Sequence, residues 1–207
     1  MLKLAVFDFD STLMDGETID FYAKELGIEK KVIQITTKAM NGELDFFESL
    51  VSRVKLLEGL EYSKIEEISK SLPYMRGAKE IIKELKSRGV KVVCFSGGFK
   101  VATSHAKEVL GFDADFSNQL HQKDGKLSGL VGGEMMFGSS KGDMLQRLQK
   151  VMDITEKETL VCGDGANDLS MFEFAKYKVA FCAKDILKAQ ANIAIEEKDL
   201  MQILQHL

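Results

Sequence analysis

The chain has 207 residues, 45% of them hydrophobic, enough to bury a sizeable core without disulfides or metal staples. Charged residues make up 29% of it, sum to a net charge of -4 and form no acidic or basic blocks, so nothing in it reads as a footprint for nucleic acid or an anionic membrane. No apolar run approaches the length of about 20 residues that spans a bilayer, and Met-Leu-Lys running into a short strand pattern does not read as a signal peptide.

The pattern opens with an apolar run from Leu4 to Phe7, and similar runs recur at Val90 to Phe95, Leu160 to Cys162, Val179 to Cys182 and Ile193 to Ile195. Continuous runs rich in Val, Ile and Phe suit strands of a parallel sheet covered on both faces. Between them lie amphipathic helical stripes: Ile81, Ile82 and Leu85 with Gly89 as a stop, then Met144, Leu145, Leu148 and Met152. Strands alternating with helices predict an open α/β sheet. From about Gly16 to Ser71 that alternation gives way to helical periodicity with no convincing strand, clearest at Phe46, Leu50, Val54 and Leu57. An inserted helical subdomain is expected there, and Pro73 marks the return to the sheet. A second insertion, FSNQLHQKDGKLSGLVGGEMMF, carries Asp124-Gly125 between alternating residues and predicts a small β-hairpin flap.

Chemistry collects at the predicted strand ends. The first strand runs into DFDSTL with Asp8 and Asp10, the second into Ser96, Gly97 and Gly98, and a later one into GDGAND with Asp164, Asn167 and Asp168. In open parallel sheets, ligands bind at the carboxyl ends of the strands. Taken singly, each piece has a plain structural explanation as a cap or turn; together they place carboxylates beside small hydroxyl and glycine residues. Four carboxylates in one place repel one another unless a cation neutralises them, and an all-oxygen donor set without histidine or cysteine suits Mg2+. The Ser96 hydroxyl and the glycine N–H groups suit an oxyanion. Lys141, just before a helical stripe, reads alone as an exposed lysine, although phosphoryl transfer needs a positive charge in such a site. Cys94, Cys162 and Cys182 sit singly in apolar runs, so buried reduced thiols and a cytoplasmic location are expected.

The ordered set of DFDSTL, SGG, a lysine and GDGAND resembles the motifs of the haloacid dehalogenase superfamily. With ETID, KAM, FFESLVSRV and FSGGF added, it is similar to the phosphoserine phosphatase family, over nearly the whole chain to KAQANIAI. The resemblance implies a Rossmann-like core of residues 1–15 and 72–207 with a helical cap at 16–71. It also implies Mg2+-dependent hydrolysis of O-phospho-L-serine to L-serine, the last step of L-serine biosynthesis, by a monomer or homodimer with a small-molecule substrate. Carried over, the nucleophile falls on Asp8 and the general acid and base on Asp10. Magnesium falls to the Asp8 carboxylate, the Asp10 carbonyl and Asp164, with Asp168 in support. Phosphate falls to Ser96, Gly97 and Lys141, with Asn167 completing the set. In the cap, Glu17 would meet an ammonium and Arg53 a carboxylate, with Met40 and Phe46 covering the site.

Some points stay open. From spacing alone, Arg53 beside an apolar stripe equally suits a side chain snorkelling to water, and Met40 and Phe46 equally suit a plain core. Phe47 adjoins Phe46, so the aromatic register is open by one residue. Asp185 stands where relatives often have proline, and His105, His121 and His206 match no catalytic position. Transfer to another alcohol such as homoserine would share every motif. A phosphatase for other small metabolites is disfavoured by Glu17 and Arg53, and a catalytically silent binding protein by the intact acidic set with Lys141.

Overall fold

The computed structural model describes residues 1–207, the side chain of Met40 excepted. Seven strands form one sheet: β1 (Leu4–Asp8), β2 (Lys91–Phe99), β3 (Ala114–Lys123), β4 (Lys126–Gly133), β5 (Thr159–Gly163), β6 (Tyr177–Phe181) and β7 (Ile193–Ile195). Their order is β4-β3-β2-β1-β5-β6-β7, parallel throughout except for β3 with β4. Every residue of β1 and β5 is buried, which is why both read as unbroken apolar runs.

Alternation along β1 divides its side chains between two cores. Ala5 and Phe7 join Ile81, Ile82 and Leu85 on one face, while Leu4 and Val6 join Phe95, Leu145 and Met171 on the other.

The insertion after β1 forms helices α1 (Thr18–Glu25), α2 (Glu29–Met40), α3 (Phe46–Lys55) and α4 (Tyr62–Lys70). Asp45 caps α3 by accepting the Glu48 N–H at 3.0 Å. A third core gathers Ile19, Tyr22, Leu50, Val54 and Ile65 from these helices, together with Phe99 of β2 and Leu120 and Leu127 of the hairpin. The remaining helices, α5 (Ala78–Ser87), α6 (Lys100–Leu110), α7 (Ser140–Met152), α8 (Leu169–Phe172) and α9 (Asp185–Lys188), cover the sheet or link its strands.

Two connections fix how the insertion meets the sheet. Its entry and exit strands pair at Met14 and Tyr74, where Asp15 N–H donates to Pro73 O and Met75 N–H to Leu13 O, each at 2.9 Å. Farther out, the α3–α4 link pairs with the hairpin: Gly59 N–H donates to Leu127 O, and Leu127 N–H to Leu60 O, both at 2.8 Å. The segment expected to hold no strand therefore contributes a short bridge, Glu61 to Lys126.

The hairpin turns at Asp124 and Gly125, both at positive φ as a type I′ turn requires. It is not a free flap, because β3 starts inside the main sheet, parallel to β2. Strand β2 also outruns its expected end, continuing through Ser96-Gly97-Gly98 to Phe99 with a register shift against β3. Cys94 and Cys162 are buried, whereas Cys182 is only half-buried and so departs from the expectation of three buried thiols. Among the described residues, no helix is long and apolar enough to cross a membrane.

Candidate active site

The centre of the sheet is a topological switch point. Strand β1 has β2 on one side and β5 on the other, so the loops leaving them diverge and open a crevice at their carboxyl ends. The cleft there holds about 410 Å³ free of protein atoms, part of it open to solvent, with Asp8, Asp10, Asp164 and Asn167 on its floor and Glu17, Phe46, Leu50 and Arg53 above.

Asp8 ends β1. Its Oδ1 accepts the Phe9 N–H at 2.7 Å and pairs with Lys141 Nζ at 2.7 Å. Among the described residues Oδ2 has no hydrogen bond, so one oxygen is anchored while the other stays free to react. Burial, helped by the charge of Asp168, pushes the Asp8 carboxyl up to about 8, against the pull of Lys141.

After Asp8 the chain makes a wide turn over Phe9–Leu13, closed by Met14 N–H donating to Phe9 O. Inside it Asp10 is extended and Ser11 is left-handed, at φ 56°. Ser11 is held there by its N–H to Gly16 O and its hydroxyl to Glu17 Oε1, each at 2.8 Å. The turn thereby ties the start of the helical insertion to the end of β1. Asp10 is tied as well, because its Oδ1 accepts both the N–H and the hydroxyl of Thr18, the first residue of α1.

Lys141 lies within the first turn of α7, one residue inside the helix rather than before it, and is 2% exposed. Burial alone would lower its ammonium; Asp168 and Asp8 outweigh that and raise it. Asp168 is fully engaged. Its Oδ1 accepts Lys141 Nζ at 2.6 Å, and its Oδ2 accepts the N–H groups of Asp164 and Gly165 at 3.0 and 3.1 Å. It therefore aims the lysine and shapes the loop that presents Asp164.

A divalent cation has a donor set here. Asp8, Asp164 and Asp168 each bring a carboxylate oxygen within 4.8 Å of the others. The Asp164 carboxyl is held well above its ordinary range by burial and by the charges of Glu17, Asp168 and Asp8. Crowded buried carboxylates are stabilised by a hard cation, and oxygen-only ligands suit Mg2+. Both oxygens of Asp168 accept hydrogen bonds, whereas the Asp164 carboxylate accepts none among the described residues. The Asp10 carboxylate is outside the cluster.

Ser96 is fully buried, and its Oγ accepts the Gly98 N–H at 2.9 Å. That contact takes the Gly98 donor out of the oxyanion set expected from the sequence and leaves the Ser96 hydrogen and the Gly97 N–H. Asn167 has a buried side-chain oxygen with no partner among the described residues.

Above the floor, the Phe46 ring lies so close to Gly97 that a Cβ there would be 2.5 Å from Cζ. Phe47 points away, is exposed and stacks on Phe137 at 5.1 Å, which settles the register between the two phenylalanines. Arg53 does not snorkel to water. It is 4% exposed, with Nε donating to Ser49 O at 3.3 Å and Nη1 to Thr36 Oγ1 at 3.0 Å. Glu17 is pushed up to about 8, by burial first and then by the charge of Asp10. The side chain of Met40, at the end of α2, is outside the described residues.

Thr18, Thr36 and Asn118 were not singled out by sequence. Asn118 is fully buried; its Nδ2 donates to Gly97 O and Met135 O at 3.1 and 3.0 Å, and its Oδ1 accepts the Met135 N–H at 2.9 Å. It braces the Gly97 backbone against the chain leaving the hairpin. Asn118 carries no contrast in the sequence, because β3 sets it among other polar residues, Asp115, Ser117 and Gln119.

A carboxylate with one free oxygen, a buried lysine and an acidic cluster meet at one switch point, and the chain belongs to the haloacid dehalogenase-like hydrolases, whose family model matches residues 2–176. A phosphoserine phosphatase of Wolinella succinogenes is 64% identical over 206 residues, all of both chains. One of Methanocaldococcus jannaschii is 49% identical, covering 99% of this chain and 97% of the relative. A solved structure described as a phospho-aspartyl intermediate analogue of phosphoserine phosphatase superposes with TM-score 0.97 at 49% identity, covering 100% of this chain and 99% of the other.

Proposed function

We propose that this chain hydrolyses O-phospho-L-serine to L-serine and phosphate through a phosphoryl group carried on Asp8. The observation that carries this reading is the division of the cleft. Its floor offers a carboxylate with one free oxygen beside a buried lysine, and its roof offers Glu17 and Arg53, a carboxyl to meet an ammonium and a guanidinium to meet a carboxylate, on separate elements. Arg53 spends its hydrogen bonds on Ser49 and Thr36 rather than on Glu17, so both groups stay available to a zwitterion. The relatives named above, phosphoserine phosphatases over their full length, support the same substrate. In this reading residues 16–71 act as a cap over a core of 1–15 and 72–207, in a soluble cytoplasmic enzyme.

In the first step Asp8 Oδ2 bonds to phosphorus while the phosphorus–oxygen bond to serine breaks, and Asp10 gives its proton to the departing serine oxygen. In the second, Asp10 takes a proton from water, whose oxygen bonds to phosphorus and releases phosphate and the Asp8 carboxylate. Lys141 and the Ser96 hydroxyl hold the equatorial oxygens, where negative charge gathers. Asp10 needs a proton to give, and its carboxyl is raised by burial, against the pull of the Thr18 hydrogen bonds. Mg2+ held by Asp8, Asp164 and the Asp10 carbonyl, with Asp168 supporting, would neutralise the cluster and shield the nucleophile from its anionic target. Phe46, packed on Gly97, helps to keep bulk water from the phosphoryl group.

The test is phosphate release from phosphoserine, phosphothreonine and sugar phosphates, with and without Mg2+, plus competition by homoserine as acceptor. Mg2+-dependent release that favours phosphoserine supports the reading. A preference for a sugar phosphate, or transfer to homoserine in place of release, would replace it.

A further inference from the structure

A buried side chain on α2 and a backbone carbonyl on α3 hold the Arg53 guanidinium at the cleft roof. Thr36, in α2, is 4% exposed, and its Oγ1 accepts Arg53 Nη1 at 3.0 Å across the α2–α3 interface. The other protein acceptor, Ser49 O at 3.3 Å, lies one turn back on the same helix as Arg53. A contact within α3 moves with α3 and can fix only where the side chain starts. The Thr36 contact ties the far end of the fork to a second helix and so sets the direction of its plane. Nη2 has no hydrogen bond among the described residues, which leaves a donor pair for a planar anion.

We propose that Thr36 is a specificity-determining positioning residue: its hydroxyl aims the Arg53 fork so that it engages the substrate carboxylate. The proposal rests on the reading of Arg53 given above. An arginine without this acceptor would keep its charge and lose its fixed plane, and bidentate pairing with a carboxylate depends on that plane. Thr36 does not line the cleft and its hydroxyl bonds to Arg53, so its effect is confined to substrates that bear the carboxylate.

The experiment compares Thr36→Val, which keeps the shape and removes the acceptor, with Thr36→Ser, which keeps the acceptor, on phosphoserine and on p-nitrophenyl phosphate. Thr36→Val is expected to raise KM for phosphoserine about tenfold, the size of a lost buried hydrogen bond to a charged group, with kcat nearly intact. Activity on p-nitrophenyl phosphate should be unchanged, and Thr36→Ser should restore the phosphoserine KM. If Thr36→Val does not fold, Thr36→Ala carries the same comparison. Equal losses on both substrates, or a phosphoserine KM at the wild-type value, overturns the proposal. Arg53→Lys run alongside separates the two readings: if it spares phosphoserine, the Arg53 assignment itself fails, whereas discrimination by Arg53→Lys without discrimination by Thr36→Val sinks Thr36 alone.

Discussion

Gly97→Ala is a severe test of the way the roof sits on the floor. The glycine has an ordinary backbone conformation, so the substitution acts through space. A methyl there would lie 2.5 Å from Phe46 Cζ, and ordinary van der Waals contact begins at 3.4 Å. The Phe46 ring must therefore retreat by about 0.9 Å. Displacements of about 1 Å at a reacting centre cost on the order of a hundredfold, and overpacking of this kind costs about 1–3 kcal/mol, so kcat/KM for phosphoserine should fall roughly tenfold to a hundredfold. Because the clash is with one ring, Phe46→Leu should give part of it back. Steady-state kinetics on the two single variants and the double variant measure the coupling, expected at about 0.5–3 kcal/mol. A double variant whose losses simply add, or Gly97→Ala at wild-type kcat/KM, would refute the picture of Phe46 seated on Gly97.

Other consequences follow from the same geometry. Asp10→Asn keeps the Thr18 contacts but has no proton to exchange, and should slow turnover about a hundredfold to ten-thousandfold in stopped-flow assays; a loss under about threefold would assign the proton transfer elsewhere. Asp8 and Glu17 are both raised to about 8, so the folded metal-free protein binds more protons than the unfolded chain between the ordinary carboxylate range and that pH. Its stability should therefore fall as pH rises through this window, by at most about 1.4 kcal/mol per pH unit and group, or about 3–6 °C in Tm. Mg2+ should restore Tm more at pH 8 than at pH 5, and a metal-free Tm that climbs toward pH 8 would contradict the crowded-carboxylate account. Asn118→Ala strands the buried Met135 N–H and the two carbonyls it serves, and should cost roughly 2–4 kcal/mol, read as a fall in Tm of about 4–16 °C. A Tm within about 1 °C of wild type would show that the Gly97 backbone needs no such brace.

Much of the fold was legible because the sheet is buried on both faces. Asp8 stands out in sequence since a carboxylate ends an otherwise unbroken apolar run, and the same contrast marks Asp164 after β5. Helix α6 was not read, because it buries small residues, Ala102, Thr103 and Ala106, which give little apolar contrast. The hairpin was read from its turn, but its continuity with β2 depends on pairing between segments that local pattern does not encode. Within the site, residue types told more than their directions did. Periodicity puts Phe46 and Arg53 on one face of α3, yet only packing shows that Phe46 rests on Gly97 and that Arg53 turns inward to Thr36. Thr18, Thr36 and Asn118 act by orienting other groups, and a residue whose function is to hold a neighbour leaves no motif of its own.

The most direct test of the central claim is acid quenching of the enzyme during turnover of phosphoserine with Mg2+, followed by peptide mapping of the trapped protein. One phosphoryl group should appear on the peptide that contains Asp8, vanish when the quench is delayed until substrate is spent, and never form in Asp8→Asn. A phosphoryl group mapped to another residue, or undiminished turnover by Asp8→Asn, would contradict the account at its root.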